Sequence, residues 1–179
     1  TLVAELEDGE DGQAQEVWSQ TRITDSAHPS FIRSVRFHEA RFDDQGELIH
    51  QGDQIQPRAN PETLDLIRGT KRAILSGAGS LFTSIVPNLI VPGVAGALSQ
   101  RRDIPRIFFT KFKVDLETGL VEMDENGSPV LVDVAGGGQK LAITSMPLRD
   151  QIRALELSIE RSTGEGVKFE DLFSHIVLP

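Results

Sequence analysis

At 179 residues, with 39% apolar and 25% charged side chains, the chain is long enough to bury a core and fits a single domain. Its formal charge of -9 repels a nucleic-acid backbone and an anionic membrane, so neither is expected as a partner. The absence of cysteine excludes disulfides, thiolate zinc sites and a cysteine nucleophile, and suits the reducing cytoplasm in which the protein is expected.

Leu2–Leu6 and Ala14–Trp18 flank an acidic, glycine-containing turn, Glu7 to Gly12, and predict a β-hairpin. The chain opens without Met on a stretch that already alternates like a strand, so a further segment is expected upstream. Thr24 to Ser30 is polar and broken by His28-Pro29, which predicts a loop. Ser34 to Phe42 is a predicted strand, Asp43 to Gly46 a turn, and Glu47 to His50 a hairpin return. Asn60-Pro61-Glu62-Thr63 then announces a helix that should stop near Gly69: Asn can accept from the first backbone N–H groups and Pro suits the first helical position.

Arg72 to Ser76 is expected as a short buried strand, Leu81 to Ser99 as partly helical, and Pro105 to Phe112 as the next strand, together a βαβ unit. The longest apolar stretch, Ile85 to Leu98, is interrupted by prolines, Asn88 and glycines, and is shorter than the ~20 residues a membrane span needs. Arg101-Arg102 is expected at a solvated helix end. β-Branched runs punctuated by Asn126-Gly127 and Gly136-Gly137-Gly138 predict hairpins over Val121 to Ile143. Ser145-Met146-Pro147 opens a long helix with Leu148, Ile152, Leu155 and Ile159 on one apolar face. A short helical turn at Phe169 to Phe173 and a last strand at His175 to Leu178 complete the chain.

The stretch Gly77-Ala78-Gly79-Ser80-Leu81-Phe82-Thr83-Ser84 raises the functional question. Glycines after an apolar strand let backbone N–H groups approach a ligand, and Ser80, Thr83 and Ser84 add hydroxyls ahead of a helix. No Gly-Lys-Ser/Thr follows, and Phe82 occupies the place of a third glycine, so neither a P-loop nor a dinucleotide fingerprint is present. From spacing, an anion site and a plain strand-to-helix corner both remain open. Glu122, Asp124, Asn126, Gly127 and Asp133 imitate a calcium loop, but their strand-like flanks and altered end positions favour a hairpin. Four scattered histidines give no metal spacing, so no metal site is assigned, and no Gly-x-Ser-x-Gly elbow supports a serine hydrolase.

Gly77 to Leu89 resembles the loop-helix segment of the family joining 2-phospho-L-lactate transferases to gluconeogenesis-factor-like proteins, which usually reads Gly-Pro-Gly-Ser-Leu-Tyr-Thr-Ser-Ile-x-Pro-Asn-Leu. Ala78 departs from its Pro and Phe82 from its Tyr. Glu5 to Gly9 resembles the family's acidic hairpin, Ile107 to Lys111 its following core strand, and Glu117-Thr118-Gly119 its Glu-Thr stretch. Leu148 to Ile152 resembles a helix start in which Asp150 is kept, while Gln151 replaces the usual His and Lys111 a usual Asn. Residues 120 to 144 look like an insertion, and the family's opening strand and first glycine-rich loop have no counterpart.

The expected fold is α/β: one domain over 1–179, the C-terminal portion of a larger family domain and incomplete at its N-terminus. It is Rossmann-like and three-layered, with a partly parallel sheet (around 72–76, 106–112 and 175–178) and edge β-hairpins. Ligands of such sheets sit beyond the carboxyl ends of the strands, where the Gly77 loop and Lys111 should lie. The resemblance moves the reading from a corner to a ligand site made of Gly77, Gly79, Ser80, Thr83, Ser84, Asn88 and Lys111. A side chain at Gly79 should then cost the ligand and leave the fold intact. The resemblance implies a regulatory protein that binds a nucleotide-sugar of the UDP-N-acetylglucosamine type, or another phosphorylated small molecule, and influences carbon metabolism or cell-wall growth. Its alternative is a transferase moving a phospholactyl group from a nucleotide-linked donor to a deazaflavin, with Asp150 as candidate catalytic residue and Mg²⁺ offsetting phosphate charge. No cofactor is otherwise expected, and a homo-oligomer is compatible with either reading.

Overall fold

The computed structural model describes residues 1–7, 15–25, 28, 30–49, 52–77, 79–111, 116–134 and 136–178. The first hairpin forms as expected. β1 (Leu2–Leu6) pairs antiparallel with β2 (Glu16–Trp18) and, on its other side, with β3 (Ile32–Phe37). Most of the acidic turn between β1 and β2 lies outside the described residues. Between β2 and β3 the expected loop is preceded by a short helix, α1 (Gln20–Asp25), in which Ile23 reaches the core. One buried residue in six leaves no periodicity to read.

β4 (Arg41–Phe42) and β5 (Leu48–Ile49) form the small hairpin around the Asp43 turn. α2 (Pro61–Gly69) starts as its sequence dictates, with the Asn60 side chain accepting from the Glu62 N–H at 2.9 Å. At its other end Arg101 corrects the solvated-end expectation. Its guanidinium is buried and donates to the carbonyls of Ile67, Arg68 and Thr70, satisfying the orphan acceptors of α2, while Asp103 pairs with it from outside.

β6 (Ile74–Ser76), β7 (Arg106–Phe109) and β12 (His175–Val177) make a parallel sheet in the order β12-β7-β6, which bears out the βαβ unit. Residues 81–99, helical in part, carry the crossover and end in α4 (Val94–Ser99). The core side of β7 presents Phe108, packed on Phe169 and Phe173 from α6 (Phe169–Leu172) and its end, with ring centroids 5.3 and 5.1 Å away. β6 is not the buried strand its apolar residues suggested. It lies at the sheet edge, and Leu75 on the face away from Phe108 is 65% exposed. The hairpins do not extend its edge either: β8 (Gly119–Val121) pairs with β11 (Ile143–Ser145), and β9 (Leu131–Asp133) with β10 (Gln139–Leu141), in small antiparallel sheets of their own. At the Asn126-Gly127 turn the Asp124 carboxylate accepts from the N–H groups of Asn126 and Ser128, which holds its pKa below the ordinary value.

α5 (Leu148–Thr163) joins the antiparallel sheet to the rest of the core. Ala154, Leu155, Ser158, Ile159 and Ser162 are its buried face. Ser158 accepts from the Val35 N–H of β3 at 3.0 Å and donates to the Ala154 carbonyl, so an edge strand is covered by a helix through one hydroxyl. Arg161 on the same helix reaches Glu5 of β1, which Arg36 also contacts at 3.3 Å. Burial pushes the Glu5 carboxyl up, but the bond and charge of Arg161 with the charges of Arg36 and Arg33 outweigh it, leaving its pKa below the ordinary 4.5.

Two measurements check this packing. Leu155→Ala, at 1% exposure, should lower stability by about 2–5 kcal/mol, read from the urea midpoint. Because the Glu5 pKa is lowered on folding, its stabilisation is complete above 4.5 and is lost as pH falls through the lower folded value. Glu5→Gln should therefore melt below wild type at pH 7, and the gap should close in acid; a gap independent of pH would show that the charge is not what matters.

Candidate glycine-loop site

The loop leaves β6 pressed against β7. Gly77 has φ of +154°, and a Cβ there would stand 2.6 Å from the Phe109 Cβ, so the position admits only glycine without movement of the neighbouring strand. A Cβ on Gly79 would stand 2.8 Å from the Ser84 Cβ. This corrects the expectation that a side chain at Gly79 leaves the fold intact: the space is already filled by the chain itself. Ala78 lies outside the described residues.

The next run begins with a π-helical turn, Leu81–Ile85, and continues as α3 (Val86–Leu89). The Ile85 and Val86 N–H groups reach back five residues, to the carbonyls of Ser80 and Leu81. Pro87 accounts for the wide turn, since its ring would meet the carbonyl four residues before it in a regular α-helix, and it has no N–H to donate. Ser80 stands at the N-cap but makes no cap with its side chain. Its hydroxyl accepts instead from Lys111 Nζ at 3.0 Å, which joins the loop after β6 to the segment after β7 at the carboxyl ends of both strands.

The cap comes from Glu117, which is 2% exposed. Its Oε2 accepts from the N–H groups of Phe82 at 3.0 Å and Thr83 at 3.3 Å, while Oε1 accepts from the hydroxyls of Thr24, at 3.0 Å, and Thr83. Glu117 and Thr24 are the residues that sequence reasoning left without a role. The available signal was the Glu-Thr stretch that follows β7 after a short segment, together with a helix start whose Ser could have turned elsewhere.

Of the expected site residues, Gly77, Gly79, Ser80, Thr83 and Lys111 therefore meet in one place, with Thr83 turned inward to Glu117. Ser84 packs its Cβ against Gly79 but is exposed, as is Asn88, whose Nδ2 donates to the Ser84 carbonyl at 2.7 Å. Asp150 lies elsewhere. Its carboxylate receives Arg149 at 3.2 Å and borders a cleft of about 540 Å³ floored by Ile32, Met146 and Ala154, to which neither the glycine loop nor Lys111 contributes. Gln151 donates to the Met146 carbonyl at 2.9 Å and so fixes the entry to α5.

A parallel α/β sheet with a glycine loop at the carboxyl end of a strand is compatible with the Rossmann-like class. The chain belongs to the 2-phospho-L-lactate transferase CofD family, whose sequence profile matches residues 1–114. It is also similar to a Deinococcus radiodurans protein named as a gluconeogenesis factor, with 32% identity over 100 residues. That match covers 56% of this chain and 17% of the relative, so the chain spans a small part of the relative's length.

For the Mg²⁺ that a transferase would use, the described residues bring together no group of three acidic or histidine side chains able to hold a metal. The Asp150 carboxylate is engaged by Arg149 and that of Glu117 by its four donors, so these side chains do not fit a protein-built magnesium site. No helix among the described residues is long and apolar enough to cross a membrane.

Gly77→Ala tests the steric reading of the loop. Forcing a methyl onto Phe109 at an unfavourable φ should cost about 1–3 kcal/mol of stability, measured by urea or thermal unfolding without any ligand. An unchanged midpoint would mean that the loop is free to move away from β7.

Proposed function

We propose that the glycine loop binds the phosphate portion of a nucleotide-sugar of the UDP-N-acetylglucosamine type, and that the protein regulates carbon metabolism or cell-wall growth as a binding protein of the gluconeogenesis-factor kind. The observation that carries this reading is the Ser80–Lys111 pair at the carboxyl ends of β6 and β7. A chain of net charge -9 needs a local cation to receive an anion, and a lysine ammonium beside a hydroxyl and a close-packed glycine backbone supplies point charge and donors together. The name of the Deinococcus relative supports the same reading.

The second reading is a transferase that moves a phospholactyl group from a nucleotide-linked donor to a deazaflavin, which the family's description favours. Any Mg²⁺ would then arrive on the donor's phosphates. Against chemistry at Asp150 stand its engagement with Arg149, its separate cleft, and the structural use of Gln151. Under both readings the protein works in the cytoplasm on a small phosphorylated molecule, without a nucleic-acid or membrane partner; self-association is compatible with each.

Calorimetric titration of UDP-N-acetylglucosamine tests the first reading. Lys111→Ala should weaken binding by roughly 10- to 100-fold, the effect of losing one charge-assisted contact. Equal affinities would remove the loop from the ligand site. In parallel, wild type and Asp150→Asn are assayed for product from a nucleotide-linked phospholactate and a deazaflavin. The regulatory reading expects no product from either; product from wild type that is lost in the variant establishes the transferase.

A further inference from the structure

We infer that Glu117 is a specificity-determining residue of the glycine-loop site, selecting ligands whose phosphates are all esterified over ligands that end in a free phosphate. The inference rests on the reading that this loop receives the ligand's phosphates. Backbone N–H groups in the first turn of a helix are the usual receivers of a phosphate that follows a glycine loop. Here the Phe82 and Thr83 N–H groups already donate to the protein's own carboxylate, at 3.0 and 3.3 Å. The Thr24 and Thr83 hydroxyls donate to its other oxygen, so Glu117 is held from α1 and from the helical run at once.

Two consequences follow for a ligand seated on Ser80 and Lys111. The helix start cannot take its phosphate, because the carboxylate fills that position. The Glu117 carboxylate also sits under Thr83, in the same turn whose Ser80 receives Lys111, and its charge opposes that of the lysine. A phosphodiester brings one charge per phosphorus, whereas a terminal phosphate brings close to two at neutral pH. The site therefore tolerates a sugar-capped diphosphate and disfavours the same diphosphate uncapped.

The test is calorimetric titration of UDP-N-acetylglucosamine and of UDP into wild type and Glu117→Gln, with thermal melts to verify folding. Wild type should prefer the capped compound, and the neutral isostere should reduce that preference by roughly five- to tenfold, the effect of removing one nearby charge. Thr24→Val provides a second variant that does not depend on the glutamine protein folding. It keeps the carboxylate but removes one donor that shares its charge, and should widen the preference. An unchanged ratio in Glu117→Gln, or in Thr24→Val should the former not fold, overturns the inference and leaves the ligand reading standing. Failure of both compounds to bind wild type and variants overturns the ligand reading and the inference with it.

Discussion

The Glu117 carboxylate is the point on which the rest of the architecture around the site depends. A single buried side chain, from the segment that follows the central parallel strand, satisfies the first turn of the helical crossover and tethers α1. Without an acceptor there, the buried Phe82 N–H would be left unpaired, which costs about 1–3 kcal/mol, and the part-buried Thr83 N–H would lose its acceptor as well. Its presence releases Ser80 from the capping role that its position would otherwise give it, and turns the hydroxyl toward Lys111. Fold and candidate site are thus joined through one exchange of partners: a distant acid caps the helix, and the local serine faces outward.

A second set of polar contacts locks α5 to the antiparallel sheet. Ser158 bonds the β3 backbone, Arg161 reaches Glu5, and Gln54 and Gln56 donate to the Arg161 and Ser162 carbonyls at the helix end. Apolar burial alone would allow α5 to slide along the sheet, since hydrophobic contact is not directional. These bonds give the packing a register. The buried Glu5 is tolerable because two arginines meet it; removal of both would leave its charge without an ionic partner in a poorly hydrated place.

Much of the fold was legible because its signals are local. Asn60-Pro61 marks the start of α2, the spacing of Leu155 and Ile159 marks the buried face of α5, and Asn126-Gly127 marks a hairpin turn, each within a few residues. The parallel pairing of β6 and β7 followed from the length of the crossover. What was missed depends on distance. Thr24 and Glu117 are separated by 93 residues, and Arg101 lies more than 30 from the carbonyls that it caps, so no window along the chain contains both partners. The burial of β6 was misjudged for a related reason: apolar composition says that a strand can be covered, but whether something covers it is a property of the assembled sheet. The site was legible in outline, as glycines, hydroxyls and a lysine at strand ends, while its arrangement was set by an acid whose partners lie elsewhere in sequence.

The position of β6 at the edge of its sheet has a dynamic consequence for the loop it carries. Among the described residues β7 is bonded on both sides and packs against the phenylalanine cluster, whereas β6 is bonded on one side and bears an exposed leucine. Local opening events begin where bonds are fewest and water is nearest, so the amides of β6 exchange with solvent sooner than those of β7. Gly77 and Gly79 hang directly from that strand. A molecule that binds the ordered loop therefore draws free energy from the same local equilibrium, slows exchange along β6 by mass action, and leaves the protection of β7 nearly as it was.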